Sequence, residues 1–266
     1  MDIQDLVRQH YGDADLGERI LDGLRAAGVD TDQLTVDDLG GLDQLHAGSL
    51  PATRYLLERL ELDDQTRLLD VGCGIGGPSR VAAATYRCPV VGIDLSPDFI
   101  RVGQQLTERV GLAGLIDLRV APGDGIDLAD ASFDRAMIIH VGMNIPDKPA
   151  VFAEVRRVLK PGGIFGVYEQ MQVRGGVPDY PLPWAEDERS SFVDTSEAYA
   201  KALHSAGFLV ERTEDRTRAM AGPQGPEPRL SPAAVFGPSF AERIANNVNA
   251  TRAGILAPIV MIARAI

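Results

Sequence analysis

Short apolar runs alternate with amphipathic stretches through the middle of the chain, regularly enough to name the elements. Strands are predicted over 68–71, 90–94, 116–120, 133–139 and 164–168, each of ordinary strand length. Helices are predicted over 77–86, from Ser96-Pro97 to about Val110, and from Asp147 and Pro149 to Leu159. Ser96 and Asp147 are N-cap residue types, and each is followed closely by a proline that suits a helix's first turn. The last of these helices carries a core stripe of Val151, Phe152, Val155, Val158 and Leu159, and Lys160-Pro161-Gly162-Gly163 ends it. A strand–helix–strand rhythm of this kind specifies an α/β fold built on a parallel, doubly wound sheet.

The flanks read differently. Residues 2–27 are helical in pattern, with Leu16, Ile20 and Leu24 on one face and a break at Gly12. An Asp/Thr-rich connection follows Gly28, and Pro51 opens a helix that runs through Leu60. With no strand signal before residue 61, 1–60 is expected to form an N-terminal helical lid over an α/β domain of 61–266. Residues 170–191, rich in Pro and Gly and carrying Tyr180 and Trp184, suit a cap insertion. Beyond them come a helix over 196–206, a strand over 208–214, a loop over 218–232, a helix over 238–253 and a strand over 258–265.

Charge removes some partners. A net charge of −12 on 266 residues disfavours nucleic acid and an anionic membrane surface, both of which need a basic face. Cys73 and Cys88 have no metal-ligand spacing, and no residue set forms a metal site or a Ser/His/Asp triad. The acidic opening Met1-Asp2-Ile3-Gln4-Asp5 is unlike a signal peptide, and no apolar run reaches spanning length, so a cytoplasmic location is expected.

Chemistry concentrates in Leu69-Asp70-Val71-Gly72-Cys73-Gly74-Ile75-Gly76-Gly77, a strand running into a glycine turn and a helix opening. Gly72, Gly74 and Gly76 let a ligand lie against bare backbone. The same glycines satisfy a dinucleotide fingerprint, which leaves an NAD-dependent oxidoreductase as one reading. Asp70 favours another, because a carboxylate there suits a cationic adenosine-bearing cofactor, S-adenosylmethionine, better than a pyrophosphate.

Three further motifs stand in order behind the glycines: Asp94 in Val91-Gly92-Ile93-Asp94-Leu95-Ser96, then Ser132-Phe133-Asp134, then Leu159-Lys160-Pro161-Gly162-Gly163. With them the chain resembles the class I S-adenosylmethionine-dependent methyltransferases, from about residue 40 to the end. That resemblance implies a seven-stranded, mainly parallel, Rossmann-like sheet with an antiparallel last strand. It implies a cofactor site along the carboxyl ends of strands one to four, with S-adenosylhomocysteine as the product. Asp94 would accept the ribose hydroxyls, or cap the helix at Ser96, or both. Asp124 in Pro122-Gly123-Asp124-Gly125 matches the acceptor for the adenine amino group, with a plain turn Asp as the rival. Leu95 and Ile126 would sandwich the adenine ring or belong to the core.

Leu42-Asp43-Gln44-Leu45-His46-Ala47-Gly48, His140-Val141-Gly142-Met143-Asn144-Ile145 and Tyr180-Pro181-Leu182-Pro183-Trp184 are similar to small-molecule enzymes of the sarcosine/dimethylglycine N-methyltransferase group. The implied partner is a small-molecule methyl acceptor, with nitrogen slightly favoured over oxygen or carbon. Gly142 stands where the glycine-type enzymes tend to carry a longer polar residue. His140, at the end of strand four, is the candidate catalytic base or else a neutral pocket residue. His46 contacts substrate or stitches lid to sheet, and Tyr180 and Trp184 are candidate substrate-box aromatics. Glu169 binds a cationic substrate or caps a turn. A non-catalytic cofactor-binding scaffold remains the third class.

Overall fold

A computed structural model describes residues 15–220 and 238–266. The first part of the helix expected from residue 2, with its break at Gly12, and most of the loop expected over 218–232 lie outside the described residues. Within them the elements are α1 (Leu16–Ala26), α2 (Ser49–Leu57), β1 (Leu68–Val71), α3 (Gly77–Tyr86), β2 (Val90–Asp94), α4 (Pro97–Arg109), β3 (Ile116–Val120) and β4 (Phe133–Ile139). Then follow α5 (Lys148–Val158), β5 (Leu159–Gln172), α6 (Ser196–Ser205), β6 (Phe208–Asp215), α7 (Pro238–Arg252) and β7 (Leu256–Ala265), with single helical turns at Val36–Leu39 and Thr217–Met220.

The strands form one seven-stranded sheet in the order β3-β2-β1-β4-β5-β7-β6. β1 to β5 are parallel, and β7 runs antiparallel between β5 and β6. The expected Rossmann-like α/β architecture is therefore present, last strand included. Strand order reverses between β1 and β4, which opens a crevice at the carboxyl ends of these two strands.

Alternate strand residues serve opposite faces. Leu69, Val71, Ile93 and Ile138 pack with Phe152 and Val155 of α5 and Tyr199 and Leu203 of α6. Leu68, Val90, Ile116 and Met137 pack on the other face with Leu56 and Leu57 of α2, Val81 of α3 and Ile100 of α4. The capping signals act as read: Ser96 Oγ accepts from Phe99 N, and an Asp147 carboxylate oxygen accepts from Ala150 N.

β5 is longer than its apolar run at both ends. Leu159 already pairs with Phe133, and the register then jumps so that Arg135 faces Ile164. Lys160 to Gly163 make up the bulge, with Gly162 at φ +77°, instead of standing wholly outside the strand. At the far end Glu169 and Gln170 continue the strand as fully buried residues. The cap insertion thus begins after Gln172, and Leu182, Trp184 and Ala185 pack with Met143, Ala250 and Leu256.

Much of the N-terminal segment packs on α4. Leu16, Ile20, Leu24 and Leu39 pack sideways against Phe99, Val102 and Leu106 of α4. Among its described residues, Asp43, Leu45 and His46 are the ones that reach the crevice. No helix among the described residues is long and apolar enough to cross a membrane.

Candidate active site

The crevice holds a cavity of about 310 Å³ whose walls include the glycine turn, Asp94, Leu95, Asp124, His140 and His46. The turn is shaped by close packing. Gly72 has φ +71°, and a Cβ there would lie 2.3 Å from Val141 Cγ2, so the two loops meet only because this residue is glycine. At Gly74 the space is open, with Leu45 Cδ1 3.9 Å from a built Cβ the nearest neighbour. Bare backbone is thus presented to the cavity at that point.

Asp94 sits at the end of β2, and its carboxylate accepts from Gly74 N and Ser96 N, both at 2.9 Å. Burial pushes its pKa upward against these hydrogen bonds. It therefore ties the turn to the start of α4 and still faces the cavity.

Asp70 has a different place. It is fully buried on the α3 side of β1, where Ser79 Oγ donates to it at 2.6 Å, and desolvation raises its pKa to about 7. Among the lining residues Val71, Gly72, Cys73 and Gly74 appear and Asp70 does not, so it braces the turn from beneath, away from the cavity wall.

Gly76 lies outside the lining too, as the left-handed N-cap of α3. Ile126 is a core residue whose N–H donates to Glu154 and whose carbonyl accepts from Arg157. Tyr180 and Trp184 stay with the cap cluster, where Trp184 Nε1 donates to Ser191 Oγ at 3.0 Å.

Three rings meet at the lid side. His140 lies 4.9 Å from Tyr168 and 5.8 Å from His46 between ring centroids, and His46 lies 6.0 Å from Tyr168. His140 takes φ +54°, and its N–H donates to Tyr168 O at 2.8 Å, which turns the chain at the strand end. Its Nε2 is enclosed and has no hydrogen-bond partner. Burial, with a smaller contribution from His46, lowers its pKa well below the ordinary imidazole value. His46 is lowered to about 4 by burial, with Nε2 2.8 Å from Thr53 Oγ1. Both imidazoles are neutral at neutral pH.

Glu169 caps the turn that follows His140. Its Oε1 accepts from Val141 N at 3.2 Å and Gly142 N at 2.9 Å, while burial raises its pKa to about 7. The space at Gly142 is taken: a Cβ would lie 2.3 Å from Tyr199 Oη, which accounts for glycine where a longer polar residue was anticipated.

Two features escaped the sequence reading. Arg80 and Asp43 form a fully buried ion pair at 2.9 Å that fastens the 42–46 segment over α3. A Cβ on Gly77 would lie 2.1 Å from Asp43 O, so the chain itself covers the opening of α3, the seat a dinucleotide's pyrophosphate would need. Asn144 also lines the cavity. Arg80 carried no signal, because its partner lies in a segment with no helical or strand period.

The comparisons agree with this geometry. Residues 69–167 match the methyltransferase domain family. Among curated relatives, the sterol 24-C-methyltransferase of Eremothecium gossypii is 36% identical over 61% of this chain and 45% of its own length. Phosphoethanolamine N-methyltransferase 3 of Arabidopsis thaliana is 31% identical over 75% of this chain and 40% of its own. The chain spans less than half the length of either. Among solved structures, the [4+2]-cyclase SpnF superposes with TM-score 0.63 at 26% identity, covering 81% of this chain and 80% of that one. Geranyl diphosphate C-methyltransferase from Streptomyces coelicolor superposes with TM-score 0.73 at 16% identity, over 100% and 99%. At that identity the likeness is one of fold.

Proposed function

From a chain whose residues 69–167 match the methyltransferase domain family, we propose an enzyme that moves a methyl group from S-adenosylmethionine to a small molecule. The observation that carries this reading is Asp94, held by Gly74 N and facing a cavity at the point where strand order reverses. The donor set fits the cofactor. Asp94 offers its remaining carboxylate lone pairs to a ribose diol, the open face at Gly74 admits a chain against backbone, and Leu95 supplies an apolar shelf. Asp124 stands at the rim for an amino group. The bound sulfonium supplies an already activated methyl group, so the protein's task is to position and desolvate the acceptor.

His140 and His46 line the cavity where the acceptor would lie, with Tyr168 packed against both rings. A neutral imidazole with low basicity accepts a hydrogen bond readily and abstracts a proton poorly. That suits an acceptor atom that already has a free lone pair, such as an uncharged amine nitrogen, better than a phenol that must first ionise. The faces of Tyr168 and the imidazoles suit the methylated, more cationic product as well.

The test is transfer of labelled methyl from S-adenosylmethionine to a panel of amines, phenols and metabolite extract, with calorimetry of S-adenosylhomocysteine in parallel. Labelled product together with product-cofactor binding is expected. Absence of cofactor binding would remove the reading. A second reading, a cofactor-binding protein that transfers no methyl group, draws on the likeness to SpnF, a cyclase on this fold. Cofactor binding with no transfer to any extract component would favour it.

A further inference from the structure

The lid-side face of the sheet, just beyond Tyr168, carries polar groups that the cofactor site does not use. Register places them together. Tyr168 pairs with Val260 and Val260 with Glu214, while Gln170 pairs with Pro258 and Arg216 N donates to Pro258 O at 2.8 Å. Tyr168 and Gln170 on β5 share one face, as residues two apart on a strand must. Arg216, two residues after Glu214, is carried into the row of Gln170. Gln170 is completely buried, and neither its amide oxygen nor its amide nitrogen has a hydrogen-bond partner. An unpaired buried amide is costly, and two such atoms on one side chain mark a place built for a partner.

Arg216 is the second observation. Its guanidinium lies 3.3 Å from the centroid of Tyr55, stacked on one side of a ring to which Arg59, also at 3.3 Å, is stacked too. The nearby carboxylate is already engaged. Glu214 accepts from Tyr55 Oη, from Arg212 Nη1 at 3.1 Å, and lies 3.7 Å from Arg59 Nε. Among the described residues Arg216 is left half-buried, with no ion pair, in a protein of net charge −12. It lines a small cavity of about 40 Å³ together with Tyr55, Tyr168, Gly48, Ala219 and Val260, room for one oxyanion-sized group, with Gln170 two residues along β5 from Tyr168 and outside the lining. Tyr168, which lines this cavity, packs 4.9 Å from the His140 imidazole and donates its Oη–H to Ala47 O at 3.0 Å.

We infer that Arg216 and Gln170 form an acceptor subsite that holds an anionic group, a carboxylate or a phosphate, of the methyl acceptor. The guanidinium neutralises the oxyanion, and the Gln170 amide donates to one of its oxygens. Tyr168 separates that anchored end from the methyl-receiving atom beside His140. The inference rests on the methyltransferase reading for the word acceptor, while the anion site itself is tested without turnover.

The experiment loads the protein with S-adenosylhomocysteine, verified by calorimetry, and follows the Arg216 side-chain N–H and the Thr217 amide by NMR while inorganic phosphate or acetate is added. Saturable shifts are expected with at least one of the two anions, and which one separates phosphate from carboxylate recognition. Arg216→Gln and Gln170→Leu should each weaken the Thr217 response by about tenfold or more, as loss of a charge-assisted bond implies. Arg216→Lys should recover part of it. No saturable shift with either anion, or a Thr217 response unchanged in Arg216→Gln, overturns the inference. If the cofactor does not bind, the methyltransferase reading fails, and the same titration on unliganded protein still decides whether the anion site exists.

Discussion

Replacing Arg80 by leucine tests what fastens the N-terminal segment to the cofactor loop. Arg80 and Asp43 are both completely buried, their N···O distance is 2.9 Å, and Arg80 also donates to Thr107 Oγ1 at 3.1 Å and Gly103 O at 3.3 Å. At that separation and an effective dielectric near 20, the pair attracts by about 6 kcal/mol. Burial opposes it strongly enough that the Asp43 carboxyl stays above its usual range despite the guanidinium. Removing the cation leaves a buried carboxylate with only Gln44 donating to its side chain, and the expected loss is about 3–5 kcal/mol. In urea this lowers the unfolding midpoint by roughly 1–2 M for an m-value near 3 kcal/mol/M. In that variant the Asp43 folded-state pKa rises further. Stability is then greatest at acid pH and falls as pH climbs from the ordinary carboxyl range toward the raised value. Asp43→Leu alone also destabilises, by stranding Arg80. The double variant Arg80→Leu/Asp43→Leu should be less destabilised than the sum of the singles by about 2 kcal/mol or more. Additivity of the two within about 0.5 kcal/mol would refute the argument that the pair acts as one unit.

Three shorter predictions follow from the site. Asp94→Asn should weaken S-adenosylhomocysteine roughly 10- to 100-fold by calorimetry, since it replaces a charged acceptor; unchanged affinity would take Asp94 out of the cofactor site. Asp70, with its pKa raised from 3.8 to about 7, contributes stability at low pH that is lost between those two values as pH rises. Asp70→Asn should therefore flatten the fall in urea midpoint across that window, leaving the shares of Glu169, raised to about 7 as well, and of Asp43 and Asp94, which burial also raises; identical slopes in the two proteins would contradict this. Gly142→Ala should cost about 1–3 kcal/mol by overpacking against Tyr199 Oη, and Tyr199→Phe, which removes a hydroxyl with no hydrogen-bond partner, should relieve most of it in a thermal melt. Equal destabilisation with and without the hydroxyl would place the strain elsewhere.

The sheet was legible where burial and hydrophobicity coincide. β1, β2 and the second half of β4 are largely apolar and buried, β3 alternates, and Ser96-Pro97 and Asp147 announce the following helices by local chemistry alone. The reading fell short where polar residues are buried. Glu169 and Gln170 look like the end of a strand, yet β5 carries both inward because one caps the His140 turn and the other faces the lid. Asp94 was found through its motif, and the structure adds its bond to Gly74. The expectation for Asp70 came from its place before the glycines, whereas its hydrogen bond from Ser79 Oγ depends on how α3 packs on β1, which no local pattern announces. Trp184 and Tyr180 drew attention as aromatics in a Pro-rich stretch. Their packing partners on α7 and β7 lie far along the sequence, beyond any local pattern.

The position of β7 also decides how the far edge of the sheet is attached. β6 touches the sheet only through β7, and β7 docks on β5, from which α6, β6 and α7 separate it in the chain. Among β1 to β4 the widest pairing is β1 with β4, where Leu68 faces Arg135, against Ile164 with Arg264 for β5 and β7. Closing the longer loop is the entropically costlier step, and non-local pairing of this kind slows folding. The pairing of β7 with β5 is the widest closure in the sheet, and it alone seats β6, with Arg216 just past its end, against the other strands.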